Sequence, residues 1–166
     1  MLDAKIQTAL NRQINHEMTA AYSYLAMAAY CEEQNFSGFG SWLRQQRLEE
    51  IAHAMRLFDY LLNRGGNVDL AAIAKPQCDF NDLKELFEES LRLEKINTDA
   101  INDLYGLAVD LKDYTTQSAL QWFLDEQVEE EKIMTEIVSL LELAGNDRSA
   151  LLVLNRQMTE RVTAQS

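Results

Sequence analysis

The chain has 166 residues and a mass of 19.0 kDa, enough for one core rather than several domains, which most often hold roughly 100–150 residues each. Its 47% hydrophobic and 25% charged residues are a globular balance, while one proline and six glycines leave too little turn material for an all-β sandwich or barrel. Twenty-seven acidic residues against fifteen basic ones give a net charge of −12, which disfavours nucleic acid and anionic membranes as partners and favours cations.

Four long stretches repeat apolar residues at three- and four-residue spacing, which predicts amphipathic helices. The first spans about Asp3 to Glu33, with Ile6, Leu10, Ile14, Ala21, Tyr24, Ala28 and Cys31 on one stripe. The second, about Gly38 to Arg64, carries Trp42, Leu43, Leu57, Tyr60 and Leu61 and stops at Gly65-Gly66, a C-terminal signal. The third opens at Asn81 or Asp82, where Asp82-x-x-Glu85 resembles a capping box, and continues through Leu83, Phe87, Ile101 and Leu104 to about Val109. The fourth uses Leu120, Phe123, Met134, Ile137 and Leu141 and ends at Gly145. A short fifth helix at about 147–160 contains Leu151, Leu152, Val153 and Leu154 in succession, so it is apolar nearly all round and needs covering on several sides.

Connection lengths set the topology. The short links around Asn35-Phe36-Ser37 and Asp110 to Tyr114 make two antiparallel hairpins. The fourteen residues from Asn67 to Phe80 reach about 46 Å when extended, the full height of such a bundle. Helices two and three are therefore parallel, and the expected fold is all-α, a four-helix bundle with one long crossover between helices two and three and a short fifth helix. One domain over residues 1–166 is expected, with the bundle at about 3–145. No apolar run approaches the ~20 residues of a membrane span, and Met1-Leu2-Asp3-Ala4-Lys5 lacks the basic and apolar regions of a signal peptide, so a cytoplasmic protein is expected. Cys31 and Cys78 form no Cys-x-x-Cys pair and are read as two buried, reduced thiols.

Each apolar stripe is interrupted near its centre by polar residues: Glu17 on the first helix, Glu50 and His53 on the second, Glu94 on the third, Gln127 and Glu130 on the fourth. The spacing repeats. Thirty-three residues separate Glu17 from Glu50 and Glu94 from Gln127, and thirty-six separate Glu17 from His53 and Glu94 from Glu130. Four carboxylates inside a bundle would each cost several kcal/mol in desolvation, and no Lys or Arg lies at their height on these stripes. Two divalent ions would balance them, and oxygen-rich ligands with one imidazole suit iron, manganese or zinc. His16, next to Glu17, points about 100° away and is expected to be exposed or capping.

At these residues the chain resembles the non-haem bacterial ferritins, of the ferritin-like di-iron carboxylate family, over essentially its whole length. The family template places a Glu on each of two helices and Glu-x-x-His on each of the other two. Glu50-Ile51-Ala52-His53 fits it, whereas the second copy reads Gln127-Val128-Glu129-Glu130. Bacterioferritins keep a second histidine and place a haem-ligating methionine directly after the first-motif glutamate, where this chain has Ile51; the resemblance therefore implies the branch without haem. It also implies one iron on Glu17, Glu50 and His53 and a second on Glu50, Glu94 and Glu130, with Glu50 bridging and Gln127 beside the oxygen-binding side. Glu49, Glu126 and Glu129, with Glu130, match a third iron site, and Tyr24 matches the family's tyrosine near the metal pair.

The activity implied is oxidation of Fe(II) by dioxygen or hydrogen peroxide, with storage of the ferric mineral in a hollow homo-oligomer of twenty-four subunits. The fifth helix would meet its symmetry copies there, and Asp110 and Asp113 are candidates for acidic openings. The alternatives are a non-storage di-iron oxidase and a rubrerythrin-like peroxidase, although the latter normally brings a four-cysteine iron domain. A non-enzymatic helical interaction protein would account for the bundle but not for its buried carboxylates.

Overall fold

The computed structural model describes residues 2–165. Among them are five helices and no strand: α1 (Ala4–Glu33), α2 (Ser37–Asn63), α3 (Leu83–Asp110), α4 (Tyr114–Ala144) and α5 (Arg148–Gln165). The first four agree with the periodicity to within a residue or two, and α5 runs longer than the expected 147–160. No helix among the described residues is long and apolar enough to cross a membrane.

The helix ends follow from local chemistry. Asp3, Asp82 and Asp113 cap α1, α3 and α4, each accepting from a backbone N–H of the first turn. At α3 the box is displaced by one residue: Asp82 Oδ1 accepts from Glu85 N at 2.8 Å, but Glu85 Oε2 accepts from Asn81 N at 2.6 Å. The C-termini of α1, α2 and α3 close with paired Schellman bonds such as Gly66 N to Leu61 O and Gly65 N to Leu62 O. The left-handed residue at these three turns is Asn35, Gly65 and Lys112.

The crossover settles the parallel arrangement of α2 and α3. Gln7, Asn11 and Asn15 lie four residues apart on α1, and their amides bond Asn67, Asp69 and Ala71 of the crossover backbone. At its far end Phe80 meets Tyr30 edge-on, with centroids 5.4 Å apart. The segment thus runs along α1 from its first turns to its last, and α1 amides satisfy four backbone groups in its first five residues.

Two apolar clusters fill the bundle. One is built from Tyr24, Met27, Phe39, Trp42, Phe87, Ile137 and neighbours, the other from Ile6, Leu10, Leu57, Leu61, Ile101, Phe123 and neighbours. Between them in height lie the inward positions of Glu17, Glu50, Glu94 and Gln127.

Several expectations are corrected. Cys31 is buried, but Cys78 is exposed on the crossover. His16 neither caps a helix nor stands in open solvent; it is half-buried in a groove between α1 and α3. Asp113 is no free acidic opening: besides capping α4, it accepts from Arg64 at 3.1 and 2.9 Å, which holds its carboxyl below the usual range. Of the consecutive apolar residues on α5, Leu151 and Leu154 pack on the bundle while Leu152 and Val153 remain 60% and 58% exposed.

The N-terminus of α2 lacks a side-chain cap of its own, since Phe36 stands at that position. Asn155 of α5 supplies one from a distance: its Oδ1 accepts from Gly38 N at 2.9 Å and Phe39 N at 3.2 Å. A Cβ at Gly38 would collide with the Asn155 carbonyl, so glycine permits the close approach. Asn155→Ala should lower stability by about 1 kcal/mol, as for a lost N-cap, and Gly38→Ala should additionally detach α5. Thermal unfolding and amide exchange confined to residues 148–165 would register both effects.

Candidate metal centre

Each helix delivers its polar residue inward because that residue occupies a core position of the 3.6-residue repeat. Glu17, Glu50, His53, Glu94, Gln127 and Glu130 are all buried. Glu17, Glu50 and His53 each offer a ligand atom such that the three atoms lie within 4.8 Å of one another, and no other group of this kind occurs among the described residues. Glu94 and Glu130 do not join that tight group, but both are close enough to oppose the charge of Glu50.

The four carboxylates differ in how they are held. Glu17 accepts from Gln13 Nε2 at 2.8 Å and from Asn97 Nδ2 at 2.9 Å. Glu94 accepts from the Tyr24 hydroxyl and from Gln127 Nε2, the latter at 3.3 Å. Gln127 also donates to the Glu94 carbonyl and to Thr98 Oγ1, both at 3.2 Å. In contrast, neither oxygen of Glu50, nor Oε2 of Glu130, has a hydrogen-bond partner. His53 Nδ1 stands 3.6 Å from Glu50 Oε2, and its ring is fixed edge-on against Trp122 and Phe123 at 5.2 and 6.2 Å.

Among the described residues no Lys or Arg forms an ion pair with any of these four glutamates. Burial, reinforced by Glu94 and Glu17, pushes the Glu50 carboxyl well above its ordinary range. Burial also raises Glu94 to about 7, although its Tyr24 and Gln127 donors pull the other way, and raises Glu130 to about 9 with help from Glu94 and Glu49. Burial raises the Tyr24 hydroxyl too, with Glu94 adding to the effect. Unpartnered carboxylate oxygens facing one another and one imidazole are the donor set of a divalent-cation site: a cation supplies the missing charge and takes the free lone pairs.

A second acidic group adjoins the first. Glu49, Glu126, Glu129 and Glu130 line one cleft of about 450 Å³ together with Trp42, Gln46, Ile133, Glu136 and Arg161. Glu130 thus faces both the bundle centre and the cleft. Glu49 is bound at its rim by Gln45 and Gln46, at 3.1 and 2.5 Å. Burial raises the Glu126 carboxyl, partly offset by His53.

All ten expected site residues therefore lie at the bundle centre or in the adjoining cleft. Sequence reasoning passed over Gln13 and Asn97, although both sit on the inward stripes at helical spacing from Glu17 and Glu94. It also passed over Trp122, and over Arg161, which reaches the cleft from α5 and pairs with Glu136 at 2.9 Å. Nothing in the helical pattern of α4 announces where the end of α5 will fall.

Comparison with known proteins places this geometry in context. The family model of a ferritin-like domain matches residues 7–144. Proteins named bacterial non-heme ferritin from Staphylococcus aureus and Staphylococcus saprophyticus are 38% identical over 161 residues, covering 97% of this chain and 97% and 96% of theirs. An open-pore ferritin from the hyperthermophilic archaeon Archaeoglobus fulgidus superimposes with a TM-score of 0.95 at 40% identity, covering 96% of this chain and 98% of that one.

The raised carboxyls carry a pH dependence. Glu130 binds its proton more tightly in the folded chain than unfolded, so the stability linked to that proton is complete below about pH 4.5 and is lost as pH rises through about 9. In metal-free protein, Glu130→Gln should therefore leave the melting temperature unchanged near pH 4.5. Near pH 9.5 it should raise stability by a few kcal/mol, the scale of an uncompensated buried charge. Paired melts of the variant and wild type across that range test the sign.

Proposed function

The chain belongs to the ferritin family, and on that premise we propose that it is an iron-storage protein with ferroxidase activity, oxidising Fe(II) within its bundle and retaining the ferric product. The observation that carries this reading is the buried Glu17–Glu50–His53 group faced by Glu94 and Glu130, four carboxylates with which no Lys or Arg among the described residues forms an ion pair.

In this reading Fe(II) is substrate. Glu17, Glu50 and His53 hold one ion, and Glu50, Glu94 and Glu130 hold another, with Glu50 between them; its two unpartnered oxygens suit it to serve both. Each Fe(II) gives one electron, and dioxygen takes the two with two protons and leaves as hydrogen peroxide; peroxide as oxidant takes two electrons and two protons to give two waters. Anionic ligands favour the more highly charged ferric product. Tyr24 donates to Glu94 beside the oxidising pair, and Gln127 orients Glu94 without supplying a second charge. Glu130, with one free oxygen and a side facing the cleft, is a ligand that can release iron as well as bind it. Glu49, Glu126 and Glu129 with Glu130 form the third iron position. The donor set supports no haem, since Ile51 stands where a haem-ligating methionine would.

The storage half of the proposal needs a shell. We read the whole chain as one domain whose copies close into a hollow assembly of twenty-four, through the face of α5 that displays Leu152 and Val153. These side chains are more than half exposed in the monomer, and a cluster of that kind on a soluble subunit calls for a symmetric partner. A cytoplasmic setting accords with two unpaired cysteines, of which Cys31 has its thiol pushed by burial up to about 12.

Glu17→Ala or His53→Ala should slow the rapid phase of Fe(II) oxidation at least about tenfold in stopped flow while the helical content is kept. Replacing Glu49, Glu126 and Glu129 together should spare that first turnover and change the iron-to-oxygen ratio. A fast phase that survives Glu17→Ala would count against the assignment of the pair. Separately, Leu152→Arg combined with Val153→Arg should convert large particles to small oligomers by sedimentation, whereas Leu154→Arg should also unsettle the bundle, because Leu154 packs against it.

A further inference from the structure

Glu17 and Glu94 occupy equivalent positions on α1 and α3, and each is gripped through both carboxylate oxygens by two neutral donors. The donors are chemically unlike. Glu94 has a phenol and an amide; Glu17 has two amides, Gln13 and Asn97, which are 2% and 4% exposed. Gln13 Nε2 reaches Asn97 Oδ1 at 2.5 Å as well as Glu17 Oε1 at 2.8 Å. The three side chains thus form a closed triangle. By bonding Asn97 Oδ1, Gln13 turns the Asn97 amide so that Nδ2 faces Glu17, and an ionised carboxylate, being an acceptor only, can receive both.

We propose that Gln13 and Asn97 are positioning residues that preset Glu17 as a metal ligand, so that the Glu17–Glu50–His53 position fills before the Glu50–Glu94–Glu130 position. The inference rests on the assignment of iron to these two positions. Glu17 arrives with its orientation fixed and one lone-pair direction on each oxygen still open, and His53 is fixed by its ring contacts. The ordering entropy of these two ligands is therefore settled during folding and not during binding. At the other position Glu130 has an oxygen without a partner and must be ordered by the ion. An amide donates without giving up its proton, so the pair acts on affinity and filling order, whereas the Tyr24 hydroxyl beside Glu94 also offers a proton.

The test is titration of metal-free, full-length protein with Co(II), followed by calorimetry and visible absorption. Gln13→Met keeps the bulk that lines the outer groove and removes the donor; Asn97→Leu does the same for Asn97. In wild type the ion should enter the paired centre in two steps, separate from uptake at the cleft of Glu49, Glu126 and Glu129, the first step carrying the spectral change of imidazole ligation and lost in His53→Ala. Gln13→Met should weaken the first step roughly ten- to hundredfold, the range for loss of a partner that orients a ligand, and leave the second unaltered, so that the steps merge. Asn97→Leu should weaken it less, and the double variant should be little worse than Gln13→Met, because Gln13 acts partly through Asn97. Tyr24→Phe should move the second step only. First-step affinity unchanged in both amide variants, with lowered melting temperatures alone, would overturn the positioning role; should Gln13→Met fail to fold, Asn97→Leu decides by the same criterion. Wild type that takes up no Co(II), or His53→Ala with both steps intact, would instead overturn the iron assignment itself.

Discussion

Four carboxylates buried at the middle of a helical bundle, with no Lys or Arg among the described residues paired to them, are the constraint around which this structure is arranged. Each buried charge costs several kcal/mol unless something positive accompanies it. Protons meet that requirement in part, which is why Glu94 is raised to about 7 and Glu130 to about 9. A divalent ion meets it better, because it also occupies the oxygens of Glu50 and Glu130 that no donor reaches. The apolar clusters above and below the polar layer hold the four helices in register, so the carboxylates stay together even though their charges repel one another.

The two hairpins repeat the same spacing but not the same chemistry. Glu17 and Glu94 correspond, while Glu50 is answered by Gln127 and His53 by Glu130. One position consequently has an imidazole and a carboxylate set in place by amides, and the other has the carboxylates Glu94 and Glu130, both raised by burial and the second left with an unpartnered oxygen. Such inequality suits a centre through which iron passes, in the proposed function, better than two equal sites would. Gln127 illustrates the economy of the change: it fills the place of a charged ligand, orients Glu94 and ties α4 to Thr98 of α3, all without adding another buried charge.

The fifth helix connects the centre with the surface. Asn155 caps α2, Arg161 lines the acidic cleft beside Glu136, and Leu152 and Val153 face outward. One helix therefore completes the fold of its own bundle, forms a wall of the cleft next to the centre and supplies the apolar face proposed to meet neighbouring copies. Arg161 is the only cation lining that cleft among the described residues, opposite five glutamates.

The sequence by itself determined the helices, the parallel course of α2 and α3, and the inward residues Glu17, Glu50, His53, Glu94, Gln127 and Glu130. These follow from a 3.6-residue period and the reach of an extended chain, which are properties of neighbours along the backbone. Even Gln13 and Asn97 were accessible to the same rule, since each is a polar residue on an apolar stripe. Only the tertiary structure decided that Cys78 is exposed, that Asp113 is spent on Arg64, that Leu154 packs inward while Leu152 does not, and that Arg161 lines the acidic cleft. It also decided which carboxylates find donors and which are left free. Those outcomes depend on which groups from other helices arrive within hydrogen-bonding distance, and periodicity along one helix places a side chain on a face without specifying what meets it there.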